Sequence, residues 1–233
     1  MSRLHLVATP IGNLGDLSGR AKECLAAADR IYAEDTRHSG RLLKDLGIST
    51  RLRSCHDHNE AQRAQEIVAH LAAGEEVALI SDAGTPGLAD PGFRVLRAAI
   101  AAGFEVSMVP GPSSIVMALV LSGFPTDRFV FDGWLPRRSG RLARQLGEYA
   151  HEMRTVVVLE SPKRLLKVLL AMVELLPERR VAIARELTKR FEEIRRGTPA
   201  ELLEYYGARP PKGELVLVLA GADFSAIDPE AVA

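Results

Sequence analysis

Short runs of β-branched and aliphatic residues alternate with longer stretches of helical hydrophobic spacing along this chain, and that alternation limits the fold more than any other property of the sequence. Extended segments at residues 4–8, 30–33, 51–55, 76–81 and 105–109 are separated by helical patterns at 17–28, 39–46, 60–73 and 93–102. Strands joined by helical crossovers favour a parallel sheet with helices on both faces, so the first half reads as five β-α units of an α/β fold. A helix at 113–121 follows, and the turn at 122–127 then breaks the pattern, which places a domain boundary there. The second series has strands at 129–132, 155–160, 181–185, 191–195 and 214–220. Its helices fall at 139–149, at 162–175 with a proline in the first turn, and at 199–206. The reading is two α/β domains, 1–122 and 123–222, with a frayed tail at 223–233.

In parallel sheets of this kind, ligands bind beyond the carboxyl ends of the strands. The segments after the first five strands are residues 10–16, 34–37, 56–59, 82–92 and 110–114, and each is polar, glycine-rich or both. The opposite ends, near residues 28–29, 47–49 and 74–75, are short ordinary turns. Residues 81–92 carry three glycines, two prolines and two carboxylates, a composition that weakens any helix or strand and suits backbone that must approach a ligand. The first half therefore builds a site at one edge of its sheet.

A chain of 233 residues that is 47% hydrophobic can bury a substantial core. The longest apolar run, 115–121, is far short of the roughly 20 residues needed to span a bilayer, and no long apolar segment follows Met1, so a soluble, cytosolic protein is expected. Cys24 and Cys55 lack CxxC spacing and nearby histidine pairs, which argues against a disulfide scaffold or a zinc site. Formal net charge is zero. Arginine nevertheless outnumbers lysine 24 to 6, and the stretch 134–147 holds Arg137, Arg138, Arg141 and Arg144 with no acid. A second basic stretch, with interspersed glutamates, spans 179–196. Such stretches serve as solvated helix faces or as grips for RNA phosphates, which the planar guanidinium fork suits.

No Walker lysine, GxGxxG or GxSxG pattern follows a strand, so P-loop, Rossmann and hydrolase-elbow readings fail. His56 and His58 have no third ligand spaced beside them, and a polar or substrate-contacting loop suits them better than a metal. Residues 34–37 have two readings. Asp35 or Thr36 caps the following helix, or Glu34, Asp35 and Arg37 gather carboxylates and a guanidinium at the sheet's mouth to activate a hydroxyl and hold a phosphate. Residues 110–114 join a strand to a helix whose first amides are free for a carboxylate or a ribose.

The segments TPIGNLGD (9–16), AEDTR (33–37), SDAGTPGLADPG (81–92), VPGPSS (109–114), LESPKRL (159–165), ARELTK (184–189) and KGELVLVLAG (212–221) together resemble the tetrapyrrole methylase superfamily. More narrowly they resemble its small-subunit ribosomal RNA methyltransferase I group, which 2′-O-methylates a cytidine ribose with S-adenosylmethionine. The resemblance implies a mainly parallel sheet in the first domain, a mixed sheet in the second, the cofactor in the cleft between them, a homodimer, and ribosomal RNA as partner without membrane or metal. It implies cofactor contacts at Pro10, Asp82, Gly84, Thr85, Ser114 and Ile115 from the first domain. From the second it implies Ser161, Leu187 and Gly213, although Ser161 beside Pro162 also suits a plain helix cap. Around the acceptor hydroxyl the residues themselves point to Glu34, Asp35 and Arg37 in catalysis, with His58 and Asn59 nearby and Arg137, Arg138 and Arg141 on RNA, and a positioned deprotonation without a dedicated base fits the sequence equally. Members typically continue past the final strand into a small helical extension, and this chain stops at Ala233, as a shorter member or a truncated one. The competing expectations are a methyltransferase for a small molecule such as a porphyrin precursor and a cofactor-binding module without turnover.

Overall fold

A computed structural model describes residues 2–224, so the tail expected at 223–233 lies, from 225 onward, outside the described residues. The chain divides into two units, one ending at Ser113 and the other beginning at Ser114. Each has a five-stranded sheet.

The first sheet contains β1 (Arg3–Val7), β2 (Arg30–Ala33), β3 (Arg51–Ser54), β4 (Val77–Ile80) and β5 (Glu105–Val109), ordered β3-β2-β4-β1-β5 with every pairing parallel. All four residues of β4, at the centre of the sheet, are buried, as expected where both faces are covered. On one face Leu4, Leu6, Val77 and Leu79 pack with Ile67 and Leu71 of α3 (Glu60–Ala72) and Val95 and Ala99 of α4 (Phe93–Ala101). The alternate residues Val7, Ala78 and Ile80 face Ala21 and Leu25 of α1 (Gly19–Ala27) and Leu43 of α2 (Thr36–Asp45). Burying a Leu, Ile or Val of this kind is worth roughly 1.5–3 kcal/mol.

The second sheet contains β6 (Phe129–Trp134), β7 (Thr155–Glu160), β8 (Val181–Arg185), β9 (Glu193–Gly197) and β10 (Leu215–Leu219), ordered β6-β7-β10-β8-β9. It is mixed, since β6 and β7 are parallel and the other pairings antiparallel. Its core joins Val156, Val158, Ile183, Leu215 and Leu217 to α6 (Ser139–Tyr149), α7 (Leu165–Leu175) and α8 (Pro199–Ala208). Thr198 caps α8 in a reciprocal capping box with Glu201, and Pro199 occupies its first turn.

Several boundaries differ from the sequence reading, among them the strand expected at 191–195, which is Glu193–Gly197, and three have a clear physical reason. The division falls after Ser113 rather than after residue 122, because α5 (Ser114–Ser122), apolar nearly all round, packs on β7, β8, β9 and β10 of the second sheet. Helix α2 begins at Thr36, three residues early, because the Asp35 carboxylate accepts the Arg37 amide at 2.8 Å and caps it. Residues 162–164 form a turn, so α7 starts at Leu165 rather than at Pro162.

Candidate active site

In the first unit, the loops after β1, β4 and β5 lock together at the carboxyl edge of the sheet. Thr9 and Gly84 exchange both backbone hydrogen bonds, at 2.9 and 3.1 Å. The buried Thr9 hydroxyl donates to the Ser81 carbonyl, and the Ser81 hydroxyl donates to the Gly84 carbonyl, both at 3.1 Å. Gly84 has φ +81°, and a Cβ there would lie 3.3 Å from Ile11 and 3.5 Å from the Pro112 carbonyl. A Cβ on Gly111 would sit 2.9 Å from that of Ala8. Pro10, Asp82, Gly84 and Thr85 therefore lie on a mouth where three strands of main chain come close enough to exclude side chains.

Asp82 ties this mouth to the next loop, its carboxylate accepting the Asp35 amide at 3.0 Å. The tetrad 34–37 then divides by role. Asp35 caps α2 and takes a two-pronged ion pair from Arg37, at 3.1 and 2.7 Å, which holds its carboxyl far below the usual carboxylate range. Glu34 moves the other way, its pKa raised by burial and then by Asp82 and Asp57. Asp90, to which the sequence reading assigned no role, is pushed up to about 7 by burial and then by Glu34, Asp82 and Asp57. Of these carboxylates, Asp90 is suited to take a proton near neutral pH, Glu34 is shifted in the same direction, and Asp35 is the least suited. Arg37 keeps its guanidinium at the surface, with 87% of the side chain exposed.

A second residue missed from sequence is Glu60, the first of α3. Although 6% exposed, its Oε1 accepts the Gly92 amide at 2.8 Å and the Arg94 amide at 2.9 Å, so one carboxylate satisfies the N-terminus of α4 and pins the end of the long loop. Asn59 organises the neighbouring turn instead of facing solvent, its Oδ1 accepting the His56 amide at 2.8 Å. His58 is exposed, with its ring 6.0 Å from that of His56. No group of three metal-ligating residues occurs among the described residues.

In the second unit, Leu215 pairs with both Glu160 and Arg185, so antiparallel pairing brings the ends of β7 and β8 beside the start of β10. Ser161, Leu187 and Gly213, 52 residues apart from first to last, thereby meet at one sheet edge. Leu187 is buried between Glu186 at φ +51° and Thr188 at φ +65°, two non-glycine residues in the left-handed region. The Glu186 carboxylate holds this strained turn by accepting the Glu214 amide at 3.1 Å and the Lys189 ammonium at 3.0 Å. Gly213, at φ +88°, has no room for a side chain, since a Cβ would lie 2.1 Å from that carboxylate. Ser161 does not cap α7; its hydroxyl accepts the Lys163 amide at 3.3 Å in the preceding turn. Ser114 and Ile115 belong to this second unit rather than to the first, because α5 packs on its sheet. Arg137, Arg138 and Arg141 are all exposed around the start of α6.

The group implied for these two sheet edges is a nucleoside carrying a sulfonium, and the residues at each edge, taken by itself, fit it. The Thr188 hydroxyl and Glu160 Oε2 are buried without a hydrogen-bond partner, although Arg164 approaches that oxygen at 3.3 Å. Glycine-lined main chain and orphaned acceptors suit ribose and amino-acid groups.

A parallel α/β unit followed by a mixed α/β unit, each with a polar, main-chain-lined sheet edge, is an architecture shared with solved methyltransferases. The solved methyltransferase CobJ shares the fold over 98% of each chain, with TM-score 0.72 and 19% identity. Uroporphyrin-III-C-methyltransferase from Thermus thermophilus does so over 95% of each, with TM-score 0.63 and 22% identity. The chain belongs to the tetrapyrrole (corrin/porphyrin) methylases, whose family pattern it matches over residues 3–203, and it is an S-adenosylmethionine-dependent methyltransferase. It is 48% identical to a Synechocystis protein named ribosomal RNA small subunit methyltransferase I, over 95% of this chain and 80% of that one. It is 41% identical to the Thermotoga maritima protein of the same name, over 96% of this chain and all of the relative.

Proposed function

We propose that this enzyme 2′-O-methylates a cytidine ribose in small-subunit ribosomal RNA. The observation that carries the reading is identity of 41–48% across at least 94% of the chain with relatives named for small-subunit ribosomal RNA methylation. The tetrapyrrole-methylating structures share the fold at only 17–22% identity, and fold alone does not select a substrate.

S-adenosylmethionine, when bound, supplies an electrophilic methyl on a positively charged sulfur. The chain holds it through the main chain of Pro10, Asp82, Gly84 and Thr85 in the first unit and through Ser114, Ile115, Ser161, Leu187 and Gly213 in the second. The ribose hydroxyl that would accept this methyl must give up its proton, and a carboxylate of the chain takes it. Glu34 and Asp90 fill that role in place of Asp35, their raised affinity for a proton matching the task. Arg37 and the loop of His58 and Asn59 flank the acceptor. Arg137, Arg138 and Arg141 hold RNA phosphates, and the enzyme works as a cytoplasmic homodimer.

Transfer of radiolabelled methyl from S-adenosylmethionine to small ribosomal subunits, followed by mapping of the modified nucleoside, tests the reading. Label on a cytidine ribose is expected. Label only on a tetrapyrrole precursor, or cofactor binding without transfer to either, would overturn it. Reversing the charge of Arg137, Arg138 and Arg141 together should weaken RNA binding and leave cofactor binding intact.

A further inference from the structure

The second unit carries a basic, aromatic surface away from Arg137, Arg138 and Arg141. It is built on β9, the edge strand of the sheet, and on the C-terminal end of α8. The guanidinium groups of Arg195 and Arg209 both lie over the Tyr205 ring, 3.7 and 5.3 Å from its centre. The Tyr205 hydroxyl is fixed in turn by donating to Glu193 at 2.6 Å. Tyr205 and Arg209 line two adjoining depressions. One, of about 540 Å³, is bounded by Arg195, Arg196 and α8, and the other, of about 370 Å³, by Phe191, Lys212 and Glu186. Glu186 carries the turn of Leu187, so this surface runs from the sheet edge of the proposed cofactor contacts outward along β9.

The charge balance there is uneven. Glu193 is committed to Arg185 at 2.9 Å and to Tyr205, and Glu201 to the cap of α8. Arg196 is spent on the Ser122 carbonyl at 2.7 Å and on that of Leu121. Arg190, Arg195, Arg209 and Lys212 have no ion pair among the described residues, against Glu192 and Glu204 as the unpaired acids nearby, which leaves the cations in excess. Phe191 is 64% exposed, with the Arg190 guanidinium 5.6 Å over its ring. An exposed aromatic ring near guanidinium groups already held over another ring offers a stacking face for a base and donors for phosphates, in the manner of single-strand binding surfaces.

We infer that Phe191, Arg195, Tyr205, Arg209 and Lys212 form a docking surface for a single-stranded segment of the RNA substrate. The inference rests on the ribosomal RNA reading above and adds to it a stacking contact distinct from the arginines of α6. An acidic protein segment would use the same cations but would have little use for the Phe191 ring.

The test compares Arg195→Glu/Arg209→Glu, Phe191→Ala and the control Lys22→Glu/Lys44→Glu, which makes the same charge change on exposed helix positions of the first unit. The probes are a mixed-sequence single-stranded oligoribonucleotide at several salt concentrations, poly-glutamate, and methyl transfer to small ribosomal subunits, with cofactor calorimetry confirming folded protein. The arginine reversal should weaken RNA binding at least about tenfold beyond the control and flatten the salt slope by about 1.4, at roughly 0.7 per phosphate contact. Phe191→Ala should weaken it at least about fivefold with the slope unchanged, as for loss of one stacked base. In methyl transfer both should raise KM and leave kcat in place. RNA affinity no different from the control, or loss of poly-glutamate binding with RNA binding intact, would overturn the inference. A wild-type enzyme that labels no RNA would instead sink the reading beneath it, whereas wild-type labelling with indifferent variants sinks only this surface.

Discussion

Gly213 gives the sharpest test of how the second sheet edge is held. Its φ of +88° costs an L-residue about 1–2 kcal/mol, and a Cβ built there lies 2.1 Å from Oε1 and 2.2 Å from Cδ of Glu186. Gly213→Ala therefore carries two costs, the backbone strain and the eviction of the carboxylate. Eviction forfeits its bonds from the Glu214 amide and the Lys189 ammonium, together about 1–2 kcal/mol at a partly exposed position, so the total is about 2–4 kcal/mol. In a Glu186→Ala background only the strain remains, and the same substitution should cost about 1–2 kcal/mol. The double variant should thus be more stable than additivity predicts, by about 1–2 kcal/mol. Trp134 is the single tryptophan and sits in β6 of the second unit, so its fluorescence in a urea titration follows the relevant unit directly. Burial pushes the Glu186 pKa up, but the bonds from Lys189 and the Glu214 amide outweigh it and hold the pKa below the ordinary value. The stabilisation from ionised Glu186 is therefore complete above its unfolded pKa and is lost as pH falls through the folded one, so the interaction energy should shrink in acid. Costs that add to within about 0.5 kcal/mol at neutral pH would refute the clash.

Glu60→Ala should lower stability by about 2–3 kcal/mol, because it leaves the Gly92 and Arg94 amides unpaired at a buried helix start, and Glu60→Gln, which keeps an acceptor oxygen, should lose less. Thermal unfolding ranks the two, and equal losses would count against the cap. Asp90→Asn should stabilise the protein progressively more, relative to wild type, as pH rises from about 4 through about 7, with the difference levelling off above. The raised folded pKa makes wild type lose stability across that window, and Asn removes the ionisation. Melting temperatures across the range decide this, and a difference independent of pH would reject the assignment. The same variant should flatten the rise of the methyl-transfer rate near neutral pH, read from single turnovers, if Asp90 takes the hydroxyl proton.

Local patterns carried much of this architecture, and what they missed has a common physical origin. The continuous apolar run of β4 and the glycine-rich segment after it were readable because burial on both faces and close main-chain approach each leave a compositional mark within a few residues. Helix α5 left no mark of that kind. A nearly uniform apolar helix says that it is buried, not on which sheet, and its assignment to the first domain failed for that reason. The tetrad 34–37 was read with both of its meanings, and the structure splits them among its members, because Asp35 is drawn into capping by its immediate neighbours while Glu34 is governed by Asp82 and Asp57 from other loops. Asp90 owes its shifted proton affinity to burial and then to Glu34, 56 positions earlier, and Glu186 owes its role to Gly213, 27 positions later. Separations of that size are invisible to periodicity or spacing.

The two sheet edges reach the same end by opposite routes. At the first, main chain approaches main chain because Gly84 and Gly111 have no Cβ, and at those two positions the conformation is accessible without strain, the left-handed Ala89 at φ +61° lying further along the loop. At the second, Glu186 and Thr188 hold left-handed conformations that cost about 1–2 kcal/mol each, and only Gly213 opposite them is relieved of a side chain. Such conformations persist only where surrounding bonds over-determine them, and here the Glu186 amide donates to the Glu214 carbonyl, the Thr188 amide to Glu192 and the Lys189 amide to the Glu186 carbonyl. The strain is thus met by folding of the second unit before any ligand arrives. Leu187 and the unpartnered Thr188 hydroxyl are presented in one arrangement, and binding need not order them. A glycine turn in the same place would be easier to fold but would leave that ordering to be supplied by whatever binds there, the cofactor on the reading proposed above, and would weaken that binding by the same entropy.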